Sequence, residues 1–334
     1  MRSGPRSVAL CIAAALAAAS CQTTGGKKPE EKPPGAGKPP ASQSIAELRS
    51  SLASSDISVR IGAVDELGRR AASSSEALDA VVGALGDSSP LVRRFAAGAL
   101  AGLPSPTTPA LSALARLLRD PETDPRESAS RTLAALAPRA PPDAVPELAA
   151  ALSNACADTE EAVRAHALEA LGGLGARGVR ASPAVRPALE RGLTDWSDRV
   201  RAAAVEAVGK LGAGVPWSVG LLGKALSDPR HDVRKEAVVA LEKIGPPAAP
   251  ATRDIARLLH GKEIYLRVFA ADALAAIGPG ARAALPELRE MEKKGWKDLE
   301  GSPEVEAQQL PGAVAKAIRA IEGGTPQTKK TGSR

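Results

Sequence analysis

Two stretches of the chain, residues 158–175 and 195–212, read DTEEAVRAHALEALGGLG and DWSDRVRAAAVEAVGKLG. In each, an Asp is followed five residues later by a Val-Arg pair. Counting from that valine, apolar residues stand at offsets 0, 4, 8 and 11. These offsets lie on one face of a helix with 3.6 residues per turn. Each stretch therefore predicts an amphipathic helix, and its final glycine predicts a left-handed cap at the helix end.

The same pattern recurs from residue 44 onward. The apolar-Arg step begins at Val59, Val92, Pro125, Val163, Val200, Val233 and Leu266. Successive steps are 33 to 38 residues apart. Another apolar-periodic segment precedes each step, and Ser44 with Glu47 forms a capping box before the first of these segments. Self-similarity at this period predicts a stack of helix-turn-helix units, each with a first helix and a second helix.

The turn before each second helix carries charges that repeat with the same period. The aspartates are Asp87, Asp120, Asp158, Asp195 and Asp228, and the arginines include Arg93, Arg126, Arg164, Arg201 and Arg234. The pattern D-x-x-x-x-V-R, followed by A-x-x-A-L, resembles HEAT repeats, particularly the short bacterial HEAT-like units named after phycobilisome lyases. The resemblance covers residues 44 to about 323. It implies an all-α, right-handed α-α superhelix, an armadillo-like solenoid of about eight helix-turn-helix units. It also implies that second helices line the concave face and that an Asp–Arg ladder joins neighbouring units.

The end units depart from the pattern. Ser54 stands where the first Asp is expected, with Asp56 as a helix N-cap, and Gly261 stands in that place in the seventh unit. The last unit, from about residue 282, follows after a 44-residue step and lacks the Arg. Atypical ends are expected of a finite stack, because its end units face water on one side.

The composition fits thin helical layers and does not favour nucleic acid. Aromatic residues make up 2% of the chain while hydrophobic residues make up 44%, so the apolar content is Ala, Leu and Val. The formal net charge of +6 is modest for 334 residues. Proteins that bind single-stranded nucleic acid stack the bases on aromatic side chains, and this chain has few aromatic residues. A cytoplasmic nucleic-acid-binding HEAT protein stays open as an alternative, but it would require residues 1–20 to be retained and a basic concave stripe.

The N-terminus predicts export. Arg2 and Arg6 precede a 12-residue apolar stretch, which is shorter than the roughly 20 residues that span a bilayer, so residues 1–20 are predicted to be a signal peptide. The sequence AASC at 18–21 resembles the lipobox of bacterial lipoproteins, whose cysteine, here Cys21, is the lipid anchor. The alternatives are cleavage at residues 17–19 to give a soluble exported protein, and retention inside the cell.

Two segments without apolar periodicity flank the predicted solenoid. Residues 21–43 are rich in Pro, Gly and Lys and are predicted to be a disordered tether, and residues 324–334 are predicted to be a disordered basic tail. The resulting expectation is a lipid-anchored protein of the bacterial cell envelope. Because Gln22 rather than Asp follows the cysteine, the resemblance to lipoproteins implies the outer membrane where one exists.

The candidate partner-binding residues vary between units. Two residues before the repeated aliphatic, the units place Asp65, Gly98, Arg131, Glu169, Glu206, Val239 and Asp272, a mildly acidic row. This row is either an ordinary solvated face or a groove for a basic or mixed-charge partner. Trp196 and Trp217 lie in predicted turns, where they either anchor a partner or pack against a neighbouring unit. The regular recurrence of the arginines favours pairing between units over phosphate binding.

No pattern for catalysis or metal binding stands out. The three cysteines form no disulfide framework, and the three histidines lack metal-ligand spacing. We therefore expect no enzyme activity, no cofactor and no small-molecule substrate. The predicted function is a protein-binding scaffold, with a lyase-like accessory protein of the phycobilisome-lyase type as the alternative.

Overall fold

The computed structural model describes residues 43–296 and 305–323. By compactness the chain divides into two units, Met1–Lys38 and Pro39–Arg334, and the first of them lies outside the described residues. The predicted signal peptide, Cys21, nearly all of the predicted tether and the predicted basic tail also lie outside them. All helices of the described residues therefore belong to the second unit.

Eight helix pairs make up the described part of the chain, which contains no strand. The first helices are α1 (Ile45–Ser51), α3 (Ser75–Ala84), α5 (Thr108–Leu117), α7 (Val145–Ala155), α10 (Val185–Gly192), α12 (Ser218–Ala225), α14 (Thr252–Leu258) and α16 (Leu285–Lys294). The second helices are α2 (Ile57–Arg70), α4 (Pro90–Ala99), α6 (Thr123–Leu136), α8 (Glu161–Leu174), α11 (Asp198–Leu211), α13 (His231–Ile244), α15 (Ile264–Ile277) and α17 (Val305–Glu322). A short helix, α9 (Ala176–Ala181), lies between the fourth and fifth pairs. The prediction of an all-α repeat fold is confirmed.

The helices form two layers. Each second helix packs on the second helix of the next unit, and it also packs on the first helix of its own unit. The repeated aliphatic at offset 8 is buried in all seven units that carry the motif: Leu67, Leu100, Leu133, Leu171, Val208, Leu241 and Leu274. One core therefore runs along the stack, because each unit buries its apolar face only against its neighbours.

Glycines end four of the second helices. Gly175, Gly212, Gly245 and Gly278 have φ between 57° and 68°. Their ψ values lie between −135° and −153°, outside the left-handed helical region that a simple glycine cap uses. This combination of angles is open essentially to glycine alone. The chain therefore turns sharply at these positions and starts the next unit.

Small residues let the second helices approach closely. A Cβ atom on Gly172 of α8 would lie 2.7 Å from the Cα atom of Ala207 in α11. No real Cβ atom tolerates that distance to backbone, so the two helices require glycine at this crossing. The alanine-rich composition follows from this spacing.

The first helix pair, α1 and α2, differs from the pairs inside the stack. Val59 is 43% exposed, whereas the equivalent Val92 and Val200 are 0% exposed. Within the described residues, no unit precedes the first helix pair to cover this position. Glu66 holds the position in the first helix pair that Ala207 holds in the fifth, where Ala207 contacts the preceding second helix. The Glu66 carboxylate is bound by Arg69 and Arg70 of the same helix. A charged cluster thus closes part of the end that other units bury.

The stretch Ile264–Lys294 is long and apolar enough, by length and composition, to cross a membrane. Half of its most apolar window is buried inside the stack, and it comprises α15, α16 and the 3-10 turn Gly278–Ala284 between them. Its apolar side chains therefore serve the core of the last two units.

Candidate partner-binding surface

The repeated Arg and Asp side chains form a ladder between units. Arg164 donates from Nε and Nη2 to the two carboxylate oxygens of Asp195 in the next unit, at 2.8 and 3.0 Å. Its Nη1 donates to the carbonyl of Asp158 in its own unit, at 3.0 Å. The same two-pronged contact joins Arg60 to Asp87, Arg93 to Asp120, Arg126 to Asp158 and Arg201 to Asp228. Each arginine thus donates to a backbone carbonyl in the turn of its own unit and to the aspartate in the turn of the next unit.

Each ladder aspartate also shapes its own turn. The Oδ1 atom of Asp195 accepts a hydrogen bond from the backbone N–H of Ser197 at 2.9 Å. Burial by itself would raise the pKa of Asp195. The hydrogen bonds from Arg164 and Ser197 outweigh burial and hold this pKa below its ordinary value. The pKa values of Asp87 and Asp120 are lowered by the same balance.

Glu263 extends the ladder beyond its last aspartate. Where Gly261 replaces the expected Asp, Arg234 donates instead to Glu263, two residues further on, at 2.8 Å. The Nε atom of Arg267 donates to the carbonyl of Gly261 at 2.7 Å. The sequence motif missed Glu263 because the longer glutamate side chain reaches the same arginine from a different position.

The ladder leaves little for an outside ligand. Arg164 is only 6% exposed, and its donors are directed to Asp195 and to the carbonyls of its own turn. This geometry serves the stack and gives no support to phosphate binding by these arginines. Chemistry directed at a partner must come from exposed positions that vary between units.

The exposed surface of the layer of second helices, here called the second-helix face, carries the predicted acidic row. Ion pairs with basic residues neutralise three of the four acidic residues in that row: Asp65 with Arg69 at 2.6 Å, Glu206 with Lys210 at 2.8 Å, and Asp272 with Lys316 at 2.7 Å. Arg131 lies 3.8 Å from Glu127. The face is therefore more nearly charge-balanced than the seven predicted residues suggested.

Lys316 was not predicted to belong to this row. It lies on α17, in the degenerate last unit where the Arg of the motif is missing, and it pairs with Asp272 of α15. That pair shows that the row continues from one unit to the next. A register count from Leu310, which is fully buried like the first positions of the inner units, would have placed Lys316 in the row.

Glu169 lies in the middle of the second-helix face, beside His166 on the same helix. Both side chains are half-buried. Burial lowers the pKa of His166, while Glu169 opposes that effect. His166 Nδ1 lies 3.5 Å from the hydroxyl of Ser130 in the preceding unit. The lowered pKa favours the neutral form of this histidine, which forms part of the contact between α6 and α8.

The two predicted tryptophans have different surroundings. Trp196 lies in the turn between α10 and α11 and is 77% exposed, with the Arg164 guanidinium 5.3 Å from the centre of its ring. Trp217 precedes α12, is half-buried against the core, and has Arg186 at 5.5 Å. Packing thus accounts for Trp217, and Trp196 presents an open aromatic surface at the edge of the stack.

Cys156 ends α7 in a buried position. Burial raises the pKa of its thiol to about 12. The thiol is therefore protonated at neutral pH, and it acts as a small apolar side chain of the core.

The chain belongs to the HEAT repeat family. The family model for HEAT repeats matches residues 45–134, 112–209 and 187–256, which together span most of the described stack. The match agrees with the repeated helix pairs. A comparison with curated proteins found no match.

Two solved structures support the fold. A crystal structure of an engineered protein is 23% identical over 84% of this chain and 79% of its own, with a TM-score of 0.54. The Escherichia coli protein YibA is 18% identical over 83% of this chain and 93% of its own, with a TM-score of 0.53. The complex of CpcE and CpcF of phycocyanin lyase from Nostoc sp. PCC7120 is 24% identical over 87% of this chain, with a TM-score of only 0.41. At these identities the similarity concerns the fold and not the activity.

Proposed function

We propose that this HEAT solenoid is a non-catalytic scaffold that holds partner proteins on its second-helix face. The observation that carries the proposal is the division between constant and varying positions. The ladder residues recur and are used inside the stack, whereas the exposed row changes from Asp65 to Gly98 to Arg131 within three units. A long face with a different side chain in each unit suits recognition of an extended protein surface.

The proposal includes a cellular location. Residues 1–20 have the features of an export signal, and Cys21 has those of a lipoprotein anchor. We propose that lipid on Cys21 holds the solenoid at the bacterial cell envelope, at the outer membrane where there is one. One lipid chain binds a membrane only marginally, so a stable anchor requires more than one acyl chain on the cysteine.

Metabolic labelling tests the proposed lipid anchor and location. Cells that produce the full chain are grown with an alkyne fatty acid, and the membrane fraction is compared with that of a Cys21→Ala variant. We expect the native chain to carry label and sediment with membranes, and the variant to do neither. Recovery of unlabelled native chain in the cytoplasm would show that the lipoprotein proposal is wrong.

Cross-linking in intact cells tests the scaffold function separately. Glu206→Lys and Asp272→Lys reverse two charges of the exposed row and leave the ladder intact. We expect one set of cross-linked proteins for the native chain, and a loss of that set for the variants. A tetrapyrrole absorption band in the purified protein would instead indicate the lyase-like alternative.

A further inference from the structure

Of the six large apolar side chains that are exposed among the described residues, four lie in the first two helix pairs. Among the described residues, Ile57, Val59, Leu91 and Phe95 are each 41% to 46% exposed. Leu91 and Phe95 are separated by one turn of α4 and therefore lie on the same side of that helix. An exposed Phe beside an exposed Leu is a feature of interaction sites rather than of a solvated helix surface.

Grooves of about 250 to 390 Å³ recur between the units. Two of those in the described residues lie on the second-helix face, one between α11 and α13 and one beside Phe95. The volume of the groove beside Phe95 is about 300 Å³. Three consecutive second helices line it: α2 with Asp65, α4 with Phe95 and Gly98, and α6 with Arg131. We call it the Phe95 groove.

Gly98 provides the room in the Phe95 groove. A Cβ atom on Gly98 would have its nearest neighbour, the Ser128 hydroxyl oxygen, at 3.7 Å, which is an ordinary contact. The packing therefore does not demand glycine here. Glu169 and Glu206 occupy the same position in other units. The absence of a side chain at Gly98 leaves the side of Phe95 open to a partner.

The charges at the rim are unequally satisfied. Asp65 is bound by Arg69 at 2.6 Å, and Arg94 is bound to Asp124 at 2.9 Å. Among the described residues, the ion-pair contact of Arg131 is a long one with Glu127, at 3.8 Å, and the arginine side chain is 58% exposed. A guanidinium has five N–H donors. Arg131 can therefore donate hydrogen bonds to a carboxylate of a partner without losing a close ion pair.

We infer that the Phe95 groove binds a partner protein segment that carries one large apolar side chain with a carboxylate within one helical turn of it. The apolar side chain fills the space over Gly98 against Phe95, and the carboxylate pairs with Arg131. This inference rests on the proposed scaffold function and names one of the places on the face where an extended partner is held. A buried aromatic contact with one charge-assisted hydrogen bond at its edge is typical of a binding hot spot.

A displayed library of random 12-residue peptides tests the inference. The target is the full chain with Cys21→Ala, immobilised at its C-terminus. We expect enriched peptides that share a large apolar residue with Asp or Glu within four positions. Their affinity should fall about tenfold or more on Phe95→Ser and on Gly98→Leu, which fills the groove. The matched control is Gly220→Leu on α12, where nothing lies within 4 Å of the added Cβ atom, and it should leave affinity unchanged.

A charge reversal supplies the second measurement. On Arg131→Glu, the enriched peptides should lose affinity, and versions with Lys in place of their carboxylate should regain it. The inference would be overturned if no peptide were enriched, or if the enriched peptides bound the Phe95→Ser and Gly98→Leu variants as tightly as the unsubstituted target. Peptides that lose affinity only on Glu206→Lys would also overturn it, and they would leave the scaffold function standing. Failure of the cross-linking experiment, by contrast, would remove the scaffold function itself.

Discussion

Asp195 connects two units through a single side chain. It accepts two hydrogen bonds from Arg164 of the preceding unit and one from the backbone of its own turn. The aspartate side chain is 12% exposed and the arginine side chain 7%. Removing one partner of such a pair leaves a buried charge without compensation, which costs more than the pair itself contributes.

Replacement of Asp195 by Ala should therefore destabilise the fold by about 3 kcal/mol, because Arg164 stays buried without its carboxylate. The control is Asp198→Ala, three residues away, whose pair with Arg230 is about half exposed and should cost less than about 1 kcal/mol. Urea unfolding followed by circular dichroism measures both free energies. Equal losses in the two variants would mean that the ladder does not hold the stack.

The ladder also predicts acid sensitivity. Asp87, Asp120 and Asp195 have folded-state pKa values below the ordinary value of about 3.9, so between the two values the unfolded chain binds more protons. The stability that they contribute is fully present above about pH 4 and is lost as pH falls through the folded pKa values. Urea midpoints measured from pH 7 to pH 2.5 should fall mainly below pH 4. An Asp195→Asn variant should show a smaller fall over that range, and an unchanged fall would contradict this assignment.

Helix ends and helix crossings decide how one unit follows another. Gly212 ends α11 with φ 57° and ψ −153°, and a Cβ atom added there would meet nothing within 4 Å, so its role is purely conformational. Gly172 has the other role, since the backbone of α11 approaches it too closely for any side chain. The two glycines therefore constrain the same stack through different physical effects.

Substitution of Gly212 by Ala should cost about 1–3 kcal/mol, because alanine is strained at this combination of φ and ψ. Gly220→Ala is the matched control: it lies inside α12 with equal space around it, and alanine there should stabilise the helix by about 0.5–1 kcal/mol. Thermal and urea unfolding report both changes. A neutral Gly212→Ala variant would mean that the turn adopts another conformation in solution.

At the scale of the molecule, the described helix pairs form a stack whose first and last pairs differ. Its N-terminal unit leaves Val59 partly exposed and closes the adjoining surface with Glu66 and two arginines. Its C-terminal helix continues the second-helix face through Lys316. Position in the stack, rather than residue type, therefore decides what a given motif residue contributes to stability.

Valine-to-alanine substitutions test this dependence on position. Val200→Ala should cost about 2 kcal/mol, because the side chain is fully buried between units and a cavity remains. Val59→Ala removes the same atoms from the end of the stack, where 43% of the residue is exposed, and should cost less than about 1 kcal/mol. Urea denaturation compares them. Equal costs would indicate that something covers the N-terminal unit in solution.

The sequence by itself determined the helix pairs, their register and the presence of a ladder. These features depend on residues within one unit, and a period near 33 residues displays the same local pattern many times. Leu171 and Val208, for example, were placed in the core by helical periodicity alone, and both are buried. The unit count follows from the same repetition.

Only the tertiary structure decided which side chains meet across units. It brought Glu263 to Arg234, paired Lys316 with Asp272, and left the Phe95 groove open over Gly98. The two pairs join residues that are 29 and 44 positions apart in the chain, and the groove depends on which surfaces a neighbouring helix covers. Periodicity assigns a residue to a face of its own helix. The packing of that helix against its neighbours then determines whether the face is neutralised, buried or available to a partner.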